Sequence, residues 1–176
     1  MNAVTERVVE MLQAREWKFE VDEECQMVST GFTGHNAQWR VTAGGFNDFT
    51  VLILSHFPVD CPQPKRRVCA ELLTRINYGL SVGAFEMHLD SGRINFKITR
   101  PYEGELPPQE ELNYLLTLNL RHMDHYLPTI MQVIYTGADP AKAVAALETS
   151  FVKMQKVKKA KACRPKTTAP SRFQMN

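Results

Sequence analysis

The run His122-Met123-Asp124-His125 is the nearest this chain comes to a metal-binding or catalytic signature. On a helix, two histidines three residues apart share one side and stand close enough to hold a single metal ion. Asp124 would point away from that side, and no His-Glu-x-x-His run places a general base beside two ligands. A polar patch opposite an apolar stripe is the plainer reading, so neither metal nor cofactor is expected. The five histidines form no recognisable Ser-His-Asp or Cys-His grouping. Glu23-Glu24 and the pair Glu103 and Glu105 fall in turns or loops, where solvated charge is expected rather than paired acid and base. Cysteines 25, 61, 69 and 163 make no Cys-x-x-Cys unit, which suits thiols in a reducing compartment better than a zinc site or a disulfide framework. The glycines at 31, 34, 44 and 45 match neither the phosphate-loop nor the dinucleotide pattern. No enzymatic activity is expected.

Residues suited to binding are more numerous. Lys65-Arg66-Arg67 opens a helix, where cations oppose the dipole, and could meet a phosphate or an acidic partner. Asn77 shares a helical side with Leu73 and Leu80; if buried it must be hydrogen-bonded, which would fix a helix to the strand that follows. The net charge of +2 conceals a division. Eight of the 21 basic residues and none of the 19 acidic ones lie in 153–176, leaving a formal charge of −6 on residues 1–152. The tail cations, Lys153, Lys156, Lys158, Lys159, Lys161 and Arg164 among them, could release counterions from a nucleic acid. They could equally contact a protein or a membrane, or serve solubility alone. Phe173 is the tail's lone aromatic residue, so base stacking is not indicated.

The elements that must position these residues are well marked. Glu6 to Arg15 reads as a first helix capped by Thr5. Trp17 to Asp22, Cys25 to Phe32 and Ala37 to Ala43 read as strands, with Gly44-Gly45 and Asn47-Asp48 turning into a central strand over Phe49 to Phe57. Prolines 58, 62 and 64 interrupt regular structure. Val68, Leu72, Leu73, Ile76 and Leu80 then recur at three- and four-residue spacing, the stripe of an amphipathic helix ended by Gly79 and Gly83. Phe85, Met87 and Leu89 alternate with polar residues, Asp90-Ser91-Gly92 turns, and Ile94, Phe96 and Ile98 alternate again: a hairpin. Pro107-Pro108-Gln109-Glu110-Glu111 starts a long helix reaching Gly137, which Pro128 is expected to kink or divide. Asp139 and Pro140 begin a short alanine-rich helix.

The order α-β-β-β-β-α-β-β-α-α, with tight hairpins, gives an α+β fold with an antiparallel sheet. A domain over 1–152 and a basic, disordered tail over 153–176 are expected. Met1 to Arg15 is too charged for a signal peptide, and the apolar run Val51 to Leu54 is too short to span a bilayer. The protein is expected to be soluble and cytoplasmic.

The stretch Leu72-Leu73-Thr74-Arg75-Ile76-Asn77, followed by Gly83-x-Phe85-x-Met87-x-Leu89 and Asp90-x-Gly92-x-Ile94-x-Phe96, resembles the YbjN family of bacterial regulators. The likeness spans residues 4 to 149 and leaves the basic tail outside. It implies the fold of type III secretion chaperones, small α+β proteins that commonly dimerise and hold partner polypeptides on their sheet and helices. It implies no catalysis. In that fold the central helix commonly lines a dimer interface, an expectation that falls here on Val68, Leu72, Arg75, Ile76 and Gly79. The resulting expectation is a non-enzymatic, chaperone-like or regulatory homodimer that binds a protein or peptide partner. The alternative is a nucleic-acid-associated regulator that uses the tail.

Overall fold

A computed structural model describes residues 1–147 and 149. The chain divides into two compact units, Met1–Val144 and Ala145–Asn176; of the second, only residues 145–147 and 149 are described, and they are helical. The expected boundary at 152 and the tail at 153–176 lie outside the described residues.

Unit one has the α+β order expected. Helix α1 (Ala3–Ala14) precedes strands β1 (Glu20–Asp22), β2 (Met27–Thr33), β3 (Gln38–Asn47) and β4 (Thr50–His56). Helix α2 (Arg66–Tyr78), strands β5 (Ala84–Met87) and β6 (Ile94–Pro101), and helix α3 (Gln109–Thr136) follow, and helical backbone resumes at 140. The six strands form one antiparallel sheet in the order β1-β2-β3-β4-β6-β5. Side chains alternate across a pleated strand, and burial alternates with them. Val41, Ala43, Val51, Ile53, Phe96 and Ile98 face the helices and are at most 4 % exposed, while Leu52, Leu54, Asn95 and Lys97 between them are half-buried. The buried set packs with Val8, Met11 and Leu12 of α1, Leu72 and Ile76 of α2, and Leu116, Met123 and Ile130 of α3. Each such side chain contributes roughly 1.5–3 kcal/mol by leaving water.

Several boundaries differ from the sequence reading for identifiable reasons. Asn2, not Thr5, caps α1, its Oδ1 accepting from the Thr5 amide at 2.9 Å. Thr5 is fully buried instead; its hydroxyl donates to the Gln26 carbonyl at 2.7 Å and accepts from the Gly45 amide at 2.8 Å. Gly44 and Gly45 are therefore strand residues, not a turn. A Cβ on Gly45 would stand 2.3 Å from Asn2 Oδ1, so bare backbone is what lets the first turn of α1 lie on β3. The first strand is cut to three residues because Glu16, at φ 57°, turns the chain so that the Trp17 amide bonds back to Leu12.

Pro128 does not divide α3, which runs unbroken from Gln109 to Thr136. A proline leaves the carbonyl four residues back without its helical donor. That carbonyl belongs to Asp124, and it accepts instead from Asn36 Nδ2 at 2.9 Å. The Asp124 carboxylate takes the amides of His35 and Asn36 at 3.1 and 2.9 Å. The β2–β3 turn thus replaces the missing bond and is anchored by doing so.

Candidate functional site

The buried polar side chains at the centre of the sheet, Ser55 and Asn119, are fully hydrogen-bonded. Asn119, fully buried on α3, donates from Nδ2 to the carbonyls of Ile53 at 3.2 Å and Phe96 at 3.1 Å. Its Oδ1 accepts from the Ser55 hydroxyl at 2.6 Å, and that hydroxyl accepts from Trp39 Nε1 at 2.9 Å. Ser55 therefore directs its proton to an amide, with no base beside it, and is a structural link rather than a nucleophile.

The opposite face of the sheet is organised differently. Ser29 on β2, Thr42 on β3, His56 on β4 and Asn95 on β6 form a ladder across four strands: Ser29 Oγ to Thr42 Oγ1 at 3.4 Å, Thr42 Oγ1 to His56 Nε2 at 2.8 Å, and His56 Nδ1 to Asn95 Oδ1 at 3.0 Å. With Asn95 Oδ1 as acceptor, Nδ1 carries the proton and Nε2 accepts from Thr42. Burial and the positive charge of Arg40 lower the His56 pKa below its usual value, with a smaller contribution of the same sign from Arg93. Lys97 pairs with Glu86 of the neighbouring strand β5.

Two depressions flank this ladder. One, of about 550 Å³, is lined by Glu86, Met87, His88, Ser91, Arg93 and Asn95. The other, of about 480 Å³, is bounded by Lys18, Glu20, Ser29, Gly31 and Arg40. The first is held open by the β5–β6 loop, whose shape depends on Arg66. That guanidinium donates to the carbonyls of Cys61, Leu89 and Asp90 at 3.2, 3.0 and 2.8 Å. Gly92, at φ 83°, would place a Cβ 2.1 Å from the Cys61 carbonyl oxygen, so only glycine fits the turn.

The residues singled out in the sequence fall in different places. Asn77 joins helix to hairpin as expected, its amide group exchanging two 2.8 Å bonds with the backbone of Phe85. Of the Lys65-Arg66-Arg67 run, Arg66 is engaged by carbonyls, and the Lys65 ammonium lies beside Gly137 at the carboxyl end of α3, where the dipole favours it. Leu72 and Ile76 lie in the core at 0 % and 3 % exposure, and Val68 packs partly buried against it. Arg75 is exposed and paired with Glu71 at 2.8 Å, and Gly79 is the exposed cap of α2. Lys153, Lys156, Lys158, Lys159, Lys161 and Arg164 lie outside the described residues.

His122 and His125 do not form a solvent-facing polar patch. His122 packs 5.2 Å from Phe96 and stacks at 6.1 Å on Tyr126, and His125 meets the Tyr126 edge at 4.8 Å. Burial lowers the pKa of both rings. Among the described residues, no group of three or more His, Cys, Asp or Glu side chains could hold a metal. Cys61 and Cys69 are buried free thiols, and burial pushes Cys69 up to about 12. Cys25 is exposed, and Cys163 lies outside the described residues.

The ladder and its flanking arginines escaped the sequence reading, although a signal existed. They occupy the alternate positions of the strands, opposite the apolar residues that were read as core.

A family profile matches residues 5–132, which takes in all six strands, α2 and most of α3. The chain belongs to the YbjN family. That family is described as "Putative bacterial sensory transduction regulator". The YbjN match ends before the terminal basic segment and includes both the Asn77–Phe85 junction and the open-face ladder. A search of curated proteins finds no match. Among the described residues, no helix is long and apolar enough to cross a membrane.

Proposed function

We propose that this YbjN protein is a non-enzymatic regulatory module that acts by binding a partner polypeptide across the open face of its sheet. The observation that carries this reading is the contrast between a rigid, helix-backed sheet and an opposite face bearing half-buried Leu52 and Leu54 beside polar groups. Such a face offers apolar area for affinity and directional groups for selectivity. Its support does not depend on any moving part, because α1, α2 and α3 fix the sheet from behind. The buried groups of Thr5, Ser55 and Asn119 hydrogen-bond to one another or to backbone, which argues for a scaffold rather than a reaction centre. Self-association through α2 would use what that helix leaves at the surface, Arg75, Gly79 and the 97 %-exposed Tyr78.

The test is a screen of the full-length chain against an array of random dodecapeptides, with the hits mapped by amide chemical shifts. Binding that shifts Leu52, Leu54, His56 and Lys97 is the expected outcome. Absence of peptide binding throughout the array would overturn the reading.

A further inference from the structure

Resting on that reading, we infer that the segment bound on the open face is acidic and extended, with two carboxylates about four residues apart seated on Arg40 and Arg93. The argument begins with charge. Arg7, Arg75 and Arg100 are paired with Glu10, Glu71 and Glu111, Arg66 is held by carbonyls, and Arg15 bonds Asn113 and lies over Trp17. Arg40, Arg67, Arg93 and Arg121 are exposed and have no ion pair among the described residues; Arg67 lies on α2 and Arg121 on α3, and Arg40 and Arg93 stand on the open face. Lys97 on the same face is paired with Glu86, while Lys18 and Arg40 share one depression with the single carboxylate of Glu20. Each depression therefore keeps one positive charge in excess, and at the wall of each stands a guanidinium group without an ion pair among the described residues.

Position comes next. Val41 lies opposite Ser55, which brings Arg40 level with His56, and His56 lies opposite Asn95. Arg93 is two residues before Asn95 and so on the same face. Two strand spacings of about 4.8 Å and two residues of about 3.3 Å separate the two arginine positions by about 12 Å, close to four residues of extended chain. Between them stands His56, both of whose nitrogens are already bonded to Thr42 and Asn95. It forms a floor and leaves the arginines as the free donors. Beside Arg40, Gly31 has nothing within 4 Å of where a Cβ would be, so the surface is low where a side chain would enter. A guanidinium takes a carboxylate through two parallel bonds, which favours glutamate or aspartate at both points. A nucleic acid is less well matched, because its affinity grows with the number of phosphates neutralised and the two depressions together hold an excess of only two positive charges.

Fluorescence anisotropy with the full-length chain tests this. The probe is a labelled ten-residue peptide of threonine and valine with glutamate at its third and seventh positions; the control carries glutamine there. The glutamate peptide should bind about tenfold or more tightly than the control, and Arg40→Gln and Arg93→Gln should each weaken it about tenfold, as for loss of one charge-assisted contact. Both variants should melt as the parent does. Equal binding of the two peptides, or binding that survives the double substitution, would overturn the acidic assignment while leaving the peptide-binding function standing. A single-stranded oligonucleotide bound more tightly than the peptide, with the same dependence on both arginines, would also overturn it. Failure of every peptide here and in the array would reach further and remove the proposed function itself.

Discussion

The two faces of the sheet hold comparable polar groups in opposite circumstances. Under the helices, Asn119 has three hydrogen bonds and Ser55 has two, and nothing of either reaches solvent. On the open face, Thr42, His56 and Asn95 are linked just as closely but lie among half-buried neighbours and next to unpaired arginines. The first arrangement specifies how α3 sits on β4 and β6. The second leaves a shaped and charged surface that the fold itself does not consume. A satisfied buried amide is a statement about stability, whereas a cation kept without a partner on a rigid face is a statement about something that arrives from outside.

The largest expected effect lies on the covered face. Asn119→Leu removes three bonds and strands the Ser55 hydroxyl, and should cost about 3 kcal/mol, read as a lower urea midpoint. A change below about 1 kcal/mol would break the contrast between the faces, since Asn119 would then hold nothing together. Next comes the anchor of the β2–β3 turn: Asp124→Ala should cost about 1 kcal/mol through loss of two charge-assisted bonds to exposed amides, measured the same way.

Acid should act on both faces in the same direction. His56, His122 and His125 all have pKa values lowered in the folded chain by burial, so the unfolded chain takes up protons first as pH falls through the usual 6.5. Stability should be complete above that value and decline below it, with the unfolding midpoint falling between about pH 7.5 and about pH 5. His122→Phe, in the aromatic cluster with Phe96, should flatten that decline; an unchanged slope would place the effect elsewhere. The smallest effect is expected on the open face. Thr42→Val should cost within about 1 kcal/mol, and Arg40→Gln with Arg93→Gln within about 0.5 kcal/mol, by the same denaturation measurement. Marked destabilisation by the arginine pair would make them structural and erase the comparison.

How much of this was readable beforehand follows from what each feature depends on. The hairpin of β5 and β6, the α2 stripe and the Asn77 junction were legible because local periodicity and one polar residue near a helix end specify them. The family resemblance rested on the same stretch. Thr5 was misplaced as a cap because its true partners, Gln26 and Gly45, are set by sheet pairing and not by neighbours in sequence. Pro128 misled for the same reason: its compensating donor, Asn36, lies 88 residues from Asp124. The open-face ladder was invisible as a unit because Ser29, Thr42, His56 and Asn95 come together only through register. Leu72 and Ile76 looked equally suited to core and to an interface, since an apolar stripe does not say what covers it.

The bare backbone at Gly44 and Gly45 has a kinetic consequence. The helix that docks there precedes every strand of the sheet, yet the amide that Thr5 accepts lies 40 residues downstream. Its other holds are the Gln26 carbonyl, 21 residues from Thr5, and the bonds of Arg15 to Asn113 and of Gln109 to the Arg7 carbonyl, 98 and 102 residues apart. During synthesis α1 can therefore meet β2 and β3 first, and its docking is completed only when the start of the long helix has emerged. Its apolar side, Val4, Val8, Met11 and Leu12, is thus covered in two stages, by early strands and then by a late helix.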